Sequence, residues 1–240
     1  MMDKSISYEA YQEMADYYAR YIDHKPFNAY YERPGTLSLL PDVENKKVLD
    51  AGCGAGYYTE WLISNGAQVT AVDFSENMVQ RTKARVGNKA DVIHADLNEP
   101  LSAIKSKSKD LIVSALTLHY LKDWEQPIKE FNRILKNKGR FVFSVHHPFM
   151  DFTMFNRENY FATELLTDEW ETNNGKVEVQ FYRRPLSEVF KPLYLNGFVI
   201  EKVLEPLPTE AFRKAVPEQY ERLKKRPQFL FVRAQKTTNM

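Results

Sequence analysis

The chain has 240 residues, 33 basic against 32 acidic side chains and 43% hydrophobic residues, a balance typical of one large globular domain. A net charge of +1 leaves no excess for gripping nucleic-acid phosphates, and no apolar run approaches the roughly 18 residues of a membrane span. The single cysteine, Cys53, excludes an intrachain disulfide, and the N-terminus lacks the basic start and apolar core of a signal peptide, so a reducing, cytoplasmic setting is expected.

In chain order, residues 5–22 set Tyr8, Tyr11, Ala15, Tyr18 and Ile22 at three- and four-residue steps, the pattern of an amphipathic helix. A stretch broken by Pro26, Pro34, Gly35 and Pro41 reads as a connecting loop with a short helical piece. From Lys46 to His147 short apolar runs then alternate with helical periods. Strands are expected at KKVLDAG, AQVTAVDF, ADVIHADL, KDLIVSALTLHYL and RFVFSVHHP. Helices are expected at YYTEWLISNG, closed by Gly66; at SENMVQRTKARVG, capped by Ser75 and stopped by Gly87; and over 123–139, from Asp123 to Gly139. This alternation predicts βαβ units, a parallel sheet and helices on both faces. After Pro148 an aromatic-rich segment carries one alternating strand, 177–182, and reads as an insertion over one end of the sheet. A helix at LSEVFKPLYLNG, a strand at FVIEKVLEP, a short helix over 217–225 and a strand at QFLFVRAQK complete the chain. The basic cluster Arg222, Lys224, Lys225 and Arg226 sits beside Glu218 and Glu221 and reads as a solvated helix face. The expected division is an N-terminal helical lid over 1–45, a ligand-binding core over 46–147, a cap over 148–184 and the rest of the core sheet over 185–240.

Three glycines follow the first strand in VLDAGCGAGYYTEWL. Glycine costs stability in regular structure, so the backbone must need to be bare there. Gly52 suits a tight turn, Gly54 lets a ligand approach the main chain, and Gly56 lets the next helix pack close to the sheet. Ligands of open α/β sheets bind outside the carboxyl ends of the strands. Asp73 ends the second strand about 20 residues past the glycines, where it can accept both hydroxyls of a ribose. Asp96 ends the third, where it can reach an adenine amino group while Leu97 packs on the base. Together they imply an adenosine-containing ligand. The G-x-G-x-G spacing puts Tyr57 where a nicotinamide fingerprint has its third glycine, and Asp50 precedes the turn. Both disfavour a pyrophosphate and favour a zwitterionic or cationic adenosine ligand.

VLDAGCGAG resembles the first motif of the class I S-adenosylmethionine-dependent methyltransferases. VDFSENMV, HADL, DLIVSALTLHYLKDW and ILKNKGRFVFSV resemble their later motifs in order and spacing, over residues 46–145, and the S-x-N-M pattern is similar to the branch acting on small molecules. The resemblance implies an α/β fold with a doubly wound, seven-stranded, mostly parallel sheet. Its last strand would run antiparallel between strands five and six. It implies S-adenosylmethionine as cofactor, S-adenosylhomocysteine as product, and transfer of a methyl group to an O, N or C nucleophile of a small molecule. Gly52, Cys53 and Gly54 would line the methionine part, Asp73 the ribose, Phe74 and Met78 the adenine, Asp96 and Leu97 the base edge, and Ser114 and Ala115 the sulfonium region. The family's catalytic residues vary too much to carry over as a set. A noncatalytic S-adenosylmethionine-binding protein with a regulatory or partner-binding role is the alternative. A nicotinamide-dependent oxidoreductase is a further rival, which the glycine spacing disfavours.

Other residues carry two readings each. His119 follows the fourth strand, beside the expected methyl position, as general base or as pocket wall. His146 and His147 point to opposite faces, so at most one meets the pocket; a metal site there lacks an acidic cluster. Cys53 reads as packing rather than as a nucleophile. The tyrosine stripe of the first helix reads as core packing or as a lid over the cofactor, with Tyr18, Tyr30 and Arg33 as the lid candidates, Arg33 for the methionine carboxylate and the aromatic faces for the sulfonium. Phe149, Phe152, Phe155, Tyr160, Phe161 and Trp170 either line an acceptor pocket or form the insertion's own core. Arg183 and Arg184 either meet an acidic substrate or lie on the surface. No nucleic-acid or membrane partner is expected; the acceptor and the oligomeric state are not readable.

Overall fold

Five strands lie parallel in the spatial order β3 (Ala90–His94), β2 (Gln68–Asp73), β1 (Lys47–Ala51), β4 (Lys109–Ala115), β5 (Leu135–His146). β9 (Phe229–Lys236) runs antiparallel beside β5, and β8 (Phe198–Leu204) closes the edge antiparallel to β9. This is the expected seven-stranded sheet, with the last strand inserted between the fifth and sixth. The computed structural model describes residues 6–172 and 175–238, so the expected helix start at residue 5 lies outside the described residues.

The central strands are apolar on both faces because helices cover both. Leu111, Ile112, Val113 and Ser114 of β4 are all buried. Leu49, Ile112, Phe131, Ile134 and Phe143 belong to one apolar layer, and Val48, Leu111, Val113, Val142 and Phe231 to the other. The helices α3 (Tyr57–Ser64), α4 (Glu76–Val86), α5 (Glu125–Ile134) and α7 (Leu186–Leu195) fall in the expected segments. Ser75 caps α4, its Oγ accepting from Met78 N at 3.2 Å. α5 stops five residues before Gly139: Leu135 turns extended and starts β5. The Lys236 ammonium meets the orphan carbonyls, donating to Asn132 O at 2.6 Å and Leu135 O at 2.9 Å.

The N-terminal segment holds more helix than its prolines suggest. After α1 (Tyr8–Tyr21) come one turn of π-helix, Asn28–Glu32, and α2 (Arg33–Leu39). Pro34 sits in the first turn of α2, where a missing N–H costs nothing. The insertion contains α6 (Pro148–Met154) and a separate two-stranded antiparallel sheet of β6 (Glu164–Thr172) and β7 (Gly175–Arg183). Val177 and Val179 of β7 pack on Ala10 and Met14 of α1. α8 (Glu210–Ala215) and α9 (Pro217–Leu223) precede β9. Among the described residues no helix is long and apolar enough to cross a membrane.

Candidate active site

The strand order reverses between β1 and β4, and a cleft of about 620 Å³ opens there at the carboxyl ends. The glycine turn forms its floor. Gly52 has φ +84°, and a Cβ there would meet Thr117 Oγ1 at 2.2 Å, so only glycine fits. Gly56 has φ +85° and lies where a Cβ would sit 3.1 Å from Thr82 Cα. Its bareness serves contact with α4, rather than the packing of α3 on the sheet. Gly52 N and Cys53 N donate to Val72 O, at 2.8 and 3.0 Å. Asp73 accepts from Gly54 N at 2.8 Å and from Ser75 N at 2.9 Å, so it fixes the turn it faces. Burial pushes its carboxyl up to about 6 against those two donors. Asp50, beneath the turn, accepts from Thr59 Oγ1 at 2.6 Å and is pushed up to about 7, mainly by burial.

Gly52, Gly54, Asp73, Phe74, Met78, Asp96, Leu97 and Ala115 all line the cleft. Four other expected residues do not. Cys53 points into an apolar cluster with Ala71, Val79 and Val86, its Sγ 3.6 Å from Thr82 Oγ1, and burial raises its thiol well above the ordinary range. Ser114 donates to Ala51 O at 2.8 Å and ties β4 to β1; Ala115 alone faces the cleft because neighbours on a strand face opposite ways. Arg33 is buried against Asp23, with Nη2 at 2.9 Å from its Oδ1 and the guanidinium 3.5 Å from the Tyr57 ring centre. Tyr30 packs on the apolar layer beneath, its carbonyl accepting from Thr209 Oγ1 at 2.7 Å. Tyr18 lies in α1, and its side chain is outside the described residues.

Sequence reasoning missed Tyr11, Leu116, Thr117, Tyr120 and Leu121, which complete the lining. Tyr11 belonged to the expected α1 stripe, so its face was legible but its partner was not. It lies 6.1 Å from the Phe74 ring centre, and its hydroxyl shares a 2.5 Å hydrogen bond with that of Tyr120.

Tyr11, Leu116 and Tyr120 also border a second cavity of about 910 Å³ between α1, β7 and the sheet. His119 lines it, 3% exposed, stacked on His146 with ring centres 4.2 Å apart. Neither ring nitrogen of His119 has a protein partner. Burial holds His119 well below the usual histidine range, with His146 and Arg184 adding to the effect, and burial lowers His146 to about 4. Asp151 Oδ1 is 3.6 Å from His146 Nδ1, and burial pushes its carboxyl well up. His147 faces away, bonded through Nε2 to Glu205 Oε1 at 2.6 Å. Of the insertion's aromatics Trp170 lines this cavity, Phe152 and Tyr160 flank Arg183, and Phe149 and Phe161 are exposed.

Arg183 and Arg184 are neither surface residues nor turned to a ligand. Arg183 donates to Glu164 Oε2 at 3.2 Å and to the carbonyls of Asn159, Tyr160 and Ala162. Arg184 donates to Leu121 O and lies 4.3 Å over Trp124.

The sheet order and the cleft at its reversal point define a class I, Rossmann-like α/β transferase fold. Residues 49–143 match the family model of the methyltransferase domain. An S-adenosylmethionine-dependent methyltransferase from Mesorhizobium loti shares 27% identity, covering 90% of this chain and all of that one, with a TM-score of 0.71. A malonyl-[acyl-carrier protein] O-methyltransferase of Neorickettsia risticii is 28% identical over 73% of this chain and 78% of its own length. A phosphoethanolamine N-methyltransferase of Triticum aestivum is 40% identical over 39% of this chain, and the match spans only 19% of the wheat protein. Over residues 49–143 the chain is similar to methyltransferase domains, and its fold is that of the class I, Rossmann-like type.

Proposed function

We propose that the protein transfers a methyl group from S-adenosylmethionine to a nucleophile of a small molecule. The observation that carries this reading is the pair of cavities meeting at Tyr11, Leu116 and Tyr120. The cleft suits the cofactor: a cradle closed to any Cβ at Gly52, two carboxyls for hydroxyl and amino donors, and Phe74, Met78 and Leu97 as apolar surface. Asp73 keeps lone pairs for ribose hydroxyls beyond its two backbone bonds, and Asp96, whose Oδ1 accepts from Asn98, keeps its other oxygen for the base edge. When bound, the cofactor supplies a methyl group already activated on sulfur. The chain's own work is then placement. Holding both reactants in near-attack geometry is worth roughly 7–11 kcal/mol, and α1 with the β6–β7 hairpin excludes water. His119 is held neutral and can accept a proton from the acceptor, worth a factor of about 10² to 10⁴. The malonyl and phosphoethanolamine relatives act on small or carrier-bound acceptors by their names, which supports this class without naming the substrate.

The test is thermal stabilisation by S-adenosylmethionine and S-adenosylhomocysteine, with NAD as control. Ligand at about 100 times its Kd adds about 2.7 kcal/mol. We expect a shift with the first two that Asp73→Ala abolishes. A shift with NAD alone, or none at all, sinks the reading.

A further inference from the structure

The second cavity is more selective than its size suggests. Its walls are aromatic and apolar, with Phe27, Trp170, Phe181 and Phe229 beside Met150 and Met154. At its inner end both ring nitrogens of His119 are buried without a hydrogen-bond partner, and His146 Nδ1 and Asp151 Oδ1, 3.6 Å apart, have no other polar atom within reach. A buried polar atom left unsatisfied costs about 1–3 kcal/mol. Two such atoms on His119, beside the loosely matched His146 and Asp151 on the same cavity wall, fit a binding site better than a packed core.

Charge narrows the acceptor. Among the described residues lining the cavity, one cation, Lys25, stands against two carboxyls, Asp151 and Asp168. Lys25 Nζ lies 4.8 Å over the Trp170 ring, and Trp170 Nε1 donates to Asp168 Oδ2 at 3.0 Å. Arg183 and Arg184 are committed to main-chain carbonyls. A phosphorylated acceptor would therefore meet no guanidinium fork. A cationic amine would find the indole face taken by Lys25. A flat, uncharged ring can bury its faces on the aromatic walls and bring an O–H donor to imidazole nitrogens.

We propose that the acceptor is an uncharged aromatic hydroxyl compound, a phenol or naphthol, methylated on oxygen while His119 takes the hydroxyl proton; this rests on the function proposed above. The O–H bond breaks and its proton passes to a ring nitrogen of His119. The freed electron pair on oxygen forms the O–CH3 bond as the S–CH3 bond breaks, and sulfur keeps that pair as a neutral thioether. The titratable and charged groups facing His119 are Tyr120, with ring centres 4.4 Å apart, His146, with Asp151 behind it, and Arg184.

The experiment uses the whole chain. S-adenosylhomocysteine binding is measured first. The complex is then titrated calorimetrically with 2-naphthol, phosphoethanolamine and a malonyl thioester, and labelled methyl transfer to each is followed. We expect 2-naphthol to bind and yield its methyl ether, with kcat/KM at least about 100-fold above the other two. His119→Asn should lower kcat on 2-naphthol by about 10² to 10⁴, and by much less on a nitro-substituted phenol already ionised in water. Its affinity for S-adenosylhomocysteine should stay within about twofold. Equal losses on both phenols would reduce His119 to a packing role and overturn the assigned base. Transfer confined to phosphoethanolamine or the thioester, or cofactor binding with no transfer to either phenol, overturns the acceptor class. Failure to bind S-adenosylhomocysteine overturns instead the reading on which the inference rests.

Discussion

Asp50 and Asp73 set two raised carboxyls beneath one glycine turn, and their titration has a definite sign. Each holds its proton more tightly folded than unfolded. The stability they contribute is therefore complete below the ordinary carboxylate range and is lost as pH rises through about 6 for Asp73 and about 7 for Asp50. For Asp50 the span from 3.8 to about 7 corresponds to roughly 4 kcal/mol at most. Asp50→Asn keeps an oxygen for the Thr59 hydroxyl and removes the titration. Denaturant midpoints should fall from about pH 4.5 to about pH 8 in the parent chain, and fall much less in the variant. Parallel profiles would show that the buried charge is not the cause. The place of Asp73 and Asp96 in the cleft, at or just past strand ends, was readable because position along a strand is readable. The failures at this scale have the same root. Ser114 and Ala115 are adjacent on β4, so strand alternation allows only one of them to face the cleft. Arg33 was assigned by charge alone, and Asp23 holds it.

At the scale of elements, α1 lies over the Phe74 side of the cleft and is tied to the start of α4. Gln12 Oε1 accepts from Ser75 Oγ at 2.5 Å and Asn77 N at 3.0 Å, and Gln12 O accepts from Asn77 Nδ2 at 2.9 Å. Tyr8 and Tyr11 lie edge-on to Phe74. If the proposed cofactor lies against Phe74 and Met78, its release requires α1 to lift, and these ties then set the opening rate. Gln12→Ala removes two side-chain bonds worth about 1 kcal/mol each. It should speed S-adenosylhomocysteine release by about tenfold or more in stopped-flow displacement. An unchanged release rate would place the exit elsewhere. The amphipathic period of α1 was legible, as were the caps at Ser75 and Gly87. β6 was not: ELLTDEWET buries only Leu166, and its pairing with β7 supplies an order that its own alternation does not announce. The helix at Arg33 was hidden by Pro34, which breaks a helix interior but starts a first turn.

Over the whole molecule, the parallel sheet followed from the alternating pattern, since right-handed crossovers leave few topologies, and the place of the antiparallel last strand followed from the family resemblance. The second cavity did not, because its walls come from α1, the segment 22–28, the loop after β4, β5, α6, the β6–β7 hairpin and the start of β9, and no local pattern records which distant segments will meet. That division also separates the energetics. The hairpin is a sheet of its own, fastened by the fully buried Arg183, whose guanidinium joins Glu164 to three carbonyls of the preceding loop. Arg183→Met keeps much of the apolar stem and strips every one of those bonds, and breaking such a buried pair costs about 3–5 kcal/mol. Because the contacts lie within the insertion, the loss should fall there as local unfolding. Amide exchange should accelerate across β6 and β7 while the amides of β1 and β4 keep their protection. S-adenosylhomocysteine affinity should stay within about twofold, and kcat/KM for the acceptor should drop more than about tenfold as the wall carrying Trp170 and Phe181 loosens. Equal acceleration of exchange in the central strands would mean that cap and sheet unfold as one unit, so that acceptor choice could not vary without a cost to the cofactor site.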